Sequence, residues 1–96
     1  MNTLIPLTNN PSNTPVLLID STASYLDLEA CADQRLSAAK GLLDSLAHMK
    51  LTDVEPKDLH HLADAAYLLL EDASDLFQAA RGVVVGERGR LNPATE

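Results

Sequence analysis

The side chains with the clearest potential for chemistry are three histidines that flank one predicted turn. His48 lies near the end of the first predicted helix, and His60 and His61 lie at the start of the second. His60 and His61 precede Asp64 by four and three residues, so each of these pairs could share a helix face. Imidazole and carboxylate groups are common ligands of Zn²⁺ and other divalent metals. One hypothesis is therefore a metal or small-ligand site near the turn that uses His48, His60, His61 and Asp64.

The alternative for the same histidines is that they are ordinary solvated side chains. The chain has no HExxH or ExxH motif, which is the usual spacing of metal ligands on a helix. The positions also lie on the outer side of the predicted helices, beside an exposed loop. We therefore expect no cofactor to be part of the fold.

Carboxylates form a second candidate site along the second predicted helix. Asp64, Glu71 and Asp75 lie on one outer face, and Asp72 lies beside them. Glu71 and Asp75 are a like-charge pair four residues apart, a spacing that slightly destabilises an isolated helix. Such a surface could dock a basic protein partner. The alternative is a solvated face that keeps a leucine-rich oligomer soluble.

Nothing in the sequence assembles a catalytic site. Cys31 has one basic neighbour a helical turn away, Arg35, and the histidines lie at the far end of the same helix, so we expect a packing residue. The segment Gly86–Gly89 lacks the Lys-Ser/Thr pair of a phosphate-binding loop. Carboxylates on exposed helix faces form no pocket. The prediction is a protein that is not an enzyme.

Charge and composition restrict the partners and the compartment. The chain has 96 residues and a net charge of −7, which disfavours nucleic acids and anionic membrane surfaces as ligands. The N-terminus has no basic segment before an apolar one, and no apolar run is long enough to span a bilayer. A single cysteine excludes an intramolecular disulfide and suits a reducing compartment. We expect a soluble cytoplasmic protein.

The elements that position these residues are predicted to be helical. Leu and Ala carry most of the apolar content, and helical spacing runs from Ser24 to Lys50 and again from Pro56 to Gly82 or Gly86. Ser24 and Asp27 resemble a capping box, and a proline suits the first turn of a helix. The short connection predicts an all-α fold, an antiparallel two-helix hairpin.

Two apolar rows on the second helix predict self-association. Alanines recur every seventh residue at 66, 73 and 80, which lets the helices approach closely, while Ala63, Leu70, Phe77 and Val84 form a second row. One partner helix cannot cover both rows, so we expect a homodimer that forms a four-helix bundle. The expected dimer or core residues are Leu36, Ala39, Leu43, Leu62, Ala66, Leu69, Leu70, Ala73, Leu76 and Phe77.

The remaining segments are expected to be an arm and two tails. We predict a flexible segment at residues 1–14, a hairpin domain with a short extended N-terminal arm at 15–86 and a flexible tail at 87–96. The arm is the apolar run before Asp20. We expect it either to cover Tyr67 and Leu68, which fall on the outer side of the second helix, or to pair with its twin across a dimer axis.

Overall fold

A computed structural model describes residues 3–91, and the chain within this range is mostly helical. Strands β1 (Leu4–Pro6) and β2 (Leu18–Asp20) come first. Helix α1 (Tyr25–Ala47), a 3₁₀ turn (Leu51–Asp53) and helix α2 (Pro56–Leu91) follow. The predicted helical class is confirmed, and a small antiparallel sheet of two strands is added to it.

Helix α1 begins where the local sequence favours it. Ser24 is the N-cap, and its hydroxyl accepts a hydrogen bond of 3.1 Å from the backbone N–H of Asp27. This bond satisfies one of the amides that have no partner inside the helix. The helix ends at Ala47, with His48 as its C-cap, slightly before the predicted end at Lys50.

Helix α2 begins at the predicted proline but does not end at either predicted glycine. Pro56 occupies the first helical position, and the helix runs through Gly82 and Gly86 to Leu91. Neither glycine has the positive φ of a helix-terminating residue. The predicted end was wrong because an interior glycine weakens a helix by only about 1 kcal/mol, which its neighbours can offset. Residues 87–91 of the predicted tail are therefore helical, and residues 92–96 lie outside the described residues.

The two helices form an antiparallel hairpin. Leu28 and Ala32 near the start of α1 pack with Leu76 and Ala80 in the second half of α2. Ala39, Ala66 and Ala73 are also buried. Small side chains at a helix contact allow the two axes to approach closely, as the seven-residue alanine spacing predicts.

The N-terminal arm pairs with the segment before it in the same chain. β1 and β2 are antiparallel, with Leu4 opposite Asp20 and Ile5 opposite Ile19. Two further backbone bonds extend this β-ribbon, from Leu7 N–H to Leu17 O at 3.0 Å and from Ser21 N–H to Thr3 O at 2.8 Å. The predicted flexible segment at residues 1–14 therefore contains a paired strand.

One asparagine side chain organises the connection between the strands. The Asn10 side-chain amide donates to the carbonyl oxygens of Leu7 and Leu17. Its carbonyl oxygen accepts from the backbone N–H groups of Val16 and Leu17, both at 2.8 Å. Asparagine is common in turns because its short side chain can bond to nearby backbone in this way. Asn10 thereby closes the loop that begins at Leu7 and ends at Leu17.

The ribbon lies on the hairpin farther along α2 than the sequence predicts. Ile19 is buried in the cluster with Leu28 and Leu76, whereas Tyr67 and Leu68 are 61% and 50% exposed. The prediction that the arm covers Tyr67 and Leu68 was therefore wrong. Ile19 is only 5% exposed in the cluster to which both helices contribute, and Asp75 holds the ribbon at that level through Thr8.

Candidate functional site

The contact between the two helices buries mainly small side chains. The buried apolar residues of the described chain are Ile19, Leu28, Ala32, Ala39, Ala66, Ala73, Leu76 and Ala80. Alanines predominate in this set, and no large side chain among the described residues is fully buried. An alanine contact removes much less apolar surface from water than a leucine contact would. The hairpin therefore leaves a large part of its leucine surface uncovered.

The residues expected to form the dimer or core fall into three groups. Ala39, Ala66, Ala73 and Leu76 are buried, and Leu36, Leu62, Leu69 and Phe77 are half-buried. Leu43 and Leu70 are 43% and 37% exposed. The exposed pair lies on the same rows as Leu36 and Phe77, of which Phe77 also packs against the buried cluster around Ala32 and Ala80.

Four apolar residues that the hairpin leaves exposed or half-buried fall on one side of it by their helical spacing. Leu36 and Leu43 are seven residues apart on α1, and Leu70 and Phe77 are seven apart on α2, so each pair forms a row along its helix. Because Leu28 packs with Leu76 and Ala80, the antiparallel alignment places Leu36 level with Leu70. We call Leu36, Leu43, Leu70 and Phe77 the apolar face.

The ribbon covers the other side of the hairpin. It is held at Asp75, which lies ~160° around α2 from Phe77. On α1 the ribbon borders Cys31, which lies ~140° around the helix from Leu36. The apolar face is therefore open to a partner without any movement of the ribbon.

The four proposed metal ligands are not brought together. His48 Nδ1 lies 3.6 Å from the Asp44 carboxylate and 2.8 Å from the Asp44 carbonyl oxygen, both on its own helix. His60 Nε2 lies 3.4 Å from Asp64 Oδ2, and the rings of His60 and His61 are tilted with centroids 6.3 Å apart. Across residues 3–91, no group of three or more His, Cys, Asp or Glu side chains could hold a metal ion. The arrangement is one histidine–aspartate pair on each helix.

The acidic side chains of α2 bond mostly within the chain. Thr8 donates twice to Asp75, from its backbone N–H at 2.7 Å to Oδ2 and from its hydroxyl at 2.9 Å to Oδ1. Tyr67 hydrogen-bonds to Glu71, and this bond together with the negative charge of Glu71 raises the pKa of Tyr67 above its ordinary value. Asp72 lies apart from the others, in a cleft under the ribbon. Asp64, which is exposed beside His60, is the most accessible member of the predicted docking surface.

The tyrosine of α1 forms a similar pair with a glutamate. Tyr25 donates to Glu29 Oε2 at 2.6 Å, one helical turn away, and this bond raises the pKa of Tyr25 above its ordinary value. Cys31, expected to be a packing residue, is exposed.

The sequence alone did not predict the roles of two residues in the N-terminal ribbon. Thr8 and Asn10 lie in the segment predicted to be flexible, yet Thr8 fixes the ribbon to α2 and Asn10 closes its loop. Repeated asparagines and prolines are typical of a turn, and they were the available signal for Asn10. No local pattern links Thr8 to a carboxylate so far along the chain.

Among the described residues, no helix is long and apolar enough to cross a membrane. Searches of protein-family models, curated proteins and solved structures find no match for this chain.

Proposed function

We propose that the protein is a homodimer in which the apolar faces of two hairpins pack together into a four-helix bundle. The observation that carries the proposal is the pairing of an alanine contact between the helices with leucines left exposed beside it. Burying those leucines against a second copy contributes about 25 cal/mol for each Å² of apolar area removed from water. Two hairpins that pack face to face form a four-helix bundle with a shared core.

The shape of one chain supports the same proposal. Its radius of gyration is 17.5 Å and its extents are 62 × 30 × 20 Å. A compact domain of this length has a radius of gyration of roughly 12–13 Å. The single chain is therefore long and thin, with a high ratio of surface to buried core. Packing a second copy along the long axis increases the buried fraction without a change of fold.

Two-fold symmetry would bury the apolar face of each copy and leave the carboxylates of α2 in solvent. In a symmetric dimer each copy presents the same patch, so a flat row of leucines can pack against its own equivalent. Asp64 and Glu71 lie ~100° or more around α2 from Leu70, which leaves their carboxylates at the outside of such a bundle.

The proposed role of the dimer is that of a regulatory or accessory factor acting through protein contacts. Asp64, which is exposed, would offer its negative charge to a basic partner, whereas Glu71 is hydrogen-bonded to Tyr67 and Asp75 to Thr8. A single exposed cysteine suits a reducing compartment, so the proposal places the protein in the cytoplasm.

Sedimentation velocity on matched variants tests the dimer. We expect the wild-type chain to sediment as a dimer at micromolar concentration. Leu70→Glu and Leu43→Glu should each shift it to a monomer, because a carboxylate buried without a partner is strongly unfavourable. Leu26→Glu is the control, since Leu26 is 72% exposed on another side of α1.

Two results would contradict the proposal. One is a folded wild-type monomer at concentrations of tens of micromolar. The other is a dimer that survives both substitutions on the apolar face but dissociates with Leu26→Glu. Circular dichroism on each variant shows whether the helices persist.

A further inference from the structure

On α2 the apolar face continues beyond Leu70 and Phe77 in both directions. Ala63 and Val84 each lie seven residues from one of them, so the four residues form a row that spans ~32 Å of the helix. We call Ala63, Leu70, Phe77 and Val84 the long row. Ala63 is exposed and Val84 is half-buried. A partner that covers only Leu70 and Phe77 leaves both ends of the long row uncovered.

On α1 the matching row is shorter. Seven residues before Leu36 the row reaches Glu29 instead of another apolar residue. The antiparallel alignment of the hairpin places Glu29 level with Phe77. Because α1 begins at Tyr25, it also stops short of the level of Val84. The two helices therefore present rows of unequal length to a second copy.

Two hairpins related by a two-fold axis can stack their apolar faces in two ways. If the axis runs along the helices, α2 lies on the partner's α1 and both turns are at the same end. If the axis runs across the helices, α2 lies antiparallel on the partner's α2 and the turns are at opposite ends. The Glu29 carboxylate meets an apolar side chain in both cases, the partner's Phe77 in the first and the partner's Leu43 in the second. The choice between the two axes therefore depends on the long row.

An axis across the helices at the level of Leu36 and Leu70 matches the long row to itself. Leu70 lies midway between Ala63 and Phe77, so Phe77 of one copy meets the partner's Ala63, a large side chain against a small one. Leu36 is the midpoint of α1, so the two α1 helices overlap over their full length. The two α2 helices overlap over ~42 Å, whereas α2 on the partner's α1 overlaps over only ~33 Å.

We propose that the two-fold axis of the dimer runs across the helices at Leu36 and Leu70, so that the long row of one copy docks antiparallel on the long row of the other. This arrangement rests on the proposed homodimer and names the surface that receives the second copy. Val84, which lies beyond the α1 of its own chain, is then level with the partner's Pro56, where the partner's α2 begins. The longer overlap removes more apolar surface from water.

The charges beside Leu36 favour the same axis. Asp33 and Lys40 are exposed on the outer side of this row, and neither forms a salt bridge with another residue between positions 3 and 91. They lie three residues before and four residues after Leu36, so an axis at Leu36 brings Asp33 of one copy close to the partner's Lys40. Opposite charges that meet in only one alignment favour that alignment.

Cross-linking between two different cysteine variants tests the direction of the axis. Cys31→Ser in every variant removes the native thiol, which is exposed. Ala63→Cys is mixed with Phe77→Cys in one sample and with Leu43→Cys in a second, and both are oxidised mildly after subunit exchange. An axis across the helices brings position 63 beside the partner's position 77, whereas an axis along them brings it beside the partner's position 43. Mass spectrometry of the linked peptides measures each link.

The link between positions 63 and 77 should form at least ~10-fold faster than the link between positions 63 and 43, because a disulfide needs Cα atoms within about 7 Å. Leu26→Cys mixed with Ala63→Cys gives the rate of random collision, since Leu26 is 72% exposed outside the apolar face. Leu70→Cys alone should link to its own equivalent across the axis. This variant decides the matter if Phe77→Cys does not fold.

Two results would overturn the proposed axis. One is a link between positions 63 and 43 that forms faster than the link between 63 and 77. The other is a 63–77 link no faster than with Leu26→Cys, together with a Leu70→Cys variant that stays unlinked. Sedimentation velocity of the same variants before oxidation separates this failure from that of the dimer. A dimer with the wrong links contradicts only the axis, whereas a monomer contradicts the homodimer itself and the axis with it.

Discussion

At the scale of single residues, the two oxygens of the Asp75 carboxylate hold the N-terminal ribbon in place. Each accepts one hydrogen bond from Thr8. We expect Asp75→Ala to lower the free energy of unfolding by about 1–2 kcal/mol, since a hydrogen bond contributes about 0.5–1.5 kcal/mol. Hydrogen exchange at the amides of β1 should accelerate while the helices stay protected.

Asp64→Ala is the matched control for this prediction. It removes an exposed carboxylate from the same helix and should change stability by less than about 0.5 kcal/mol. Equal exchange rates for β1 in both variants would show that Asp75 does not anchor the ribbon.

The hydrogen bonds to the Asp20 carboxylate should make the stability of the folded chain depend on pH. Bonds from the Thr22 hydroxyl and backbone N–H lower the pKa of Asp20 below its ordinary value near 3.8. Because the pKa of Asp20 is lower in the folded chain than in the unfolded chain, the ionised carboxylate stabilises the fold at pH values above the unfolded-state pKa. This stabilisation is lost as the pH falls through the folded-state pKa. Thr22→Val should therefore raise the pKa of Asp20, measured by carboxyl ¹³C NMR. Thr14→Val, a change in an exposed part of the ribbon loop, should leave it unchanged.

At the scale of elements, α2 continues through two glycines that have no packing reason to be glycine. A Cβ added at Gly82 or at Gly86 meets no atom within 4 Å, and neither residue has a positive φ. We expect Gly82→Ala and Gly86→Ala each to stabilise the protein by about 0.5–1 kcal/mol, because alanine loses less backbone entropy in a helix. Urea unfolding measures the gain.

Gly41→Ala in α1 is the positive control, since its added Cβ also meets open space. Destabilisation by Gly82→Ala would indicate that Gly82 terminates the helix after all, as its position in the sequence first suggested.

Local signals explain which elements were predictable. Ser24, Asp27 and Pro56 act within one helical turn, so the starts of both helices follow from neighbouring residues. The ribbon depends on pairing between Leu4–Pro6 and Leu18–Asp20, which lie far apart in the chain. A three-residue strand has no periodicity from which to recognise it, so Leu4–Pro6 could not be identified as a strand.

At the scale of the whole molecule, the proposed dimer couples association to stability. The midpoint of thermal unfolding should rise with protein concentration, because the folded state would gain a partner that the unfolded chain lacks. It should also rise with moderate salt, since each copy carries a net charge of −7 and salt screens the repulsion. Differential scanning calorimetry over a 100-fold range of concentration measures both effects. A midpoint independent of concentration would indicate a stable monomer.

The sequence by itself determined the two helices, the N-cap of α1 at Ser24, the start of α2 at Pro56 and the alanine contact between the helices. These features arise from backbone propensity, capping and a seven-residue repeat, which act over one or two turns. It also identified the leucine rows, of which Leu43 and Leu70 remain exposed.

Only the tertiary structure decided where the N-terminal segment lies, which carboxylates are already bonded and which side of the hairpin is open. Thr8 meets Asp75 across 67 positions of sequence, and Ile19 meets both helices at once. Such contacts depend on the relative placement of elements, which no local pattern encodes. Asp75, a candidate docking residue in the sequence, holds the ribbon through Thr8. The ribbon and the two helices together form a cleft that Asp72 borders.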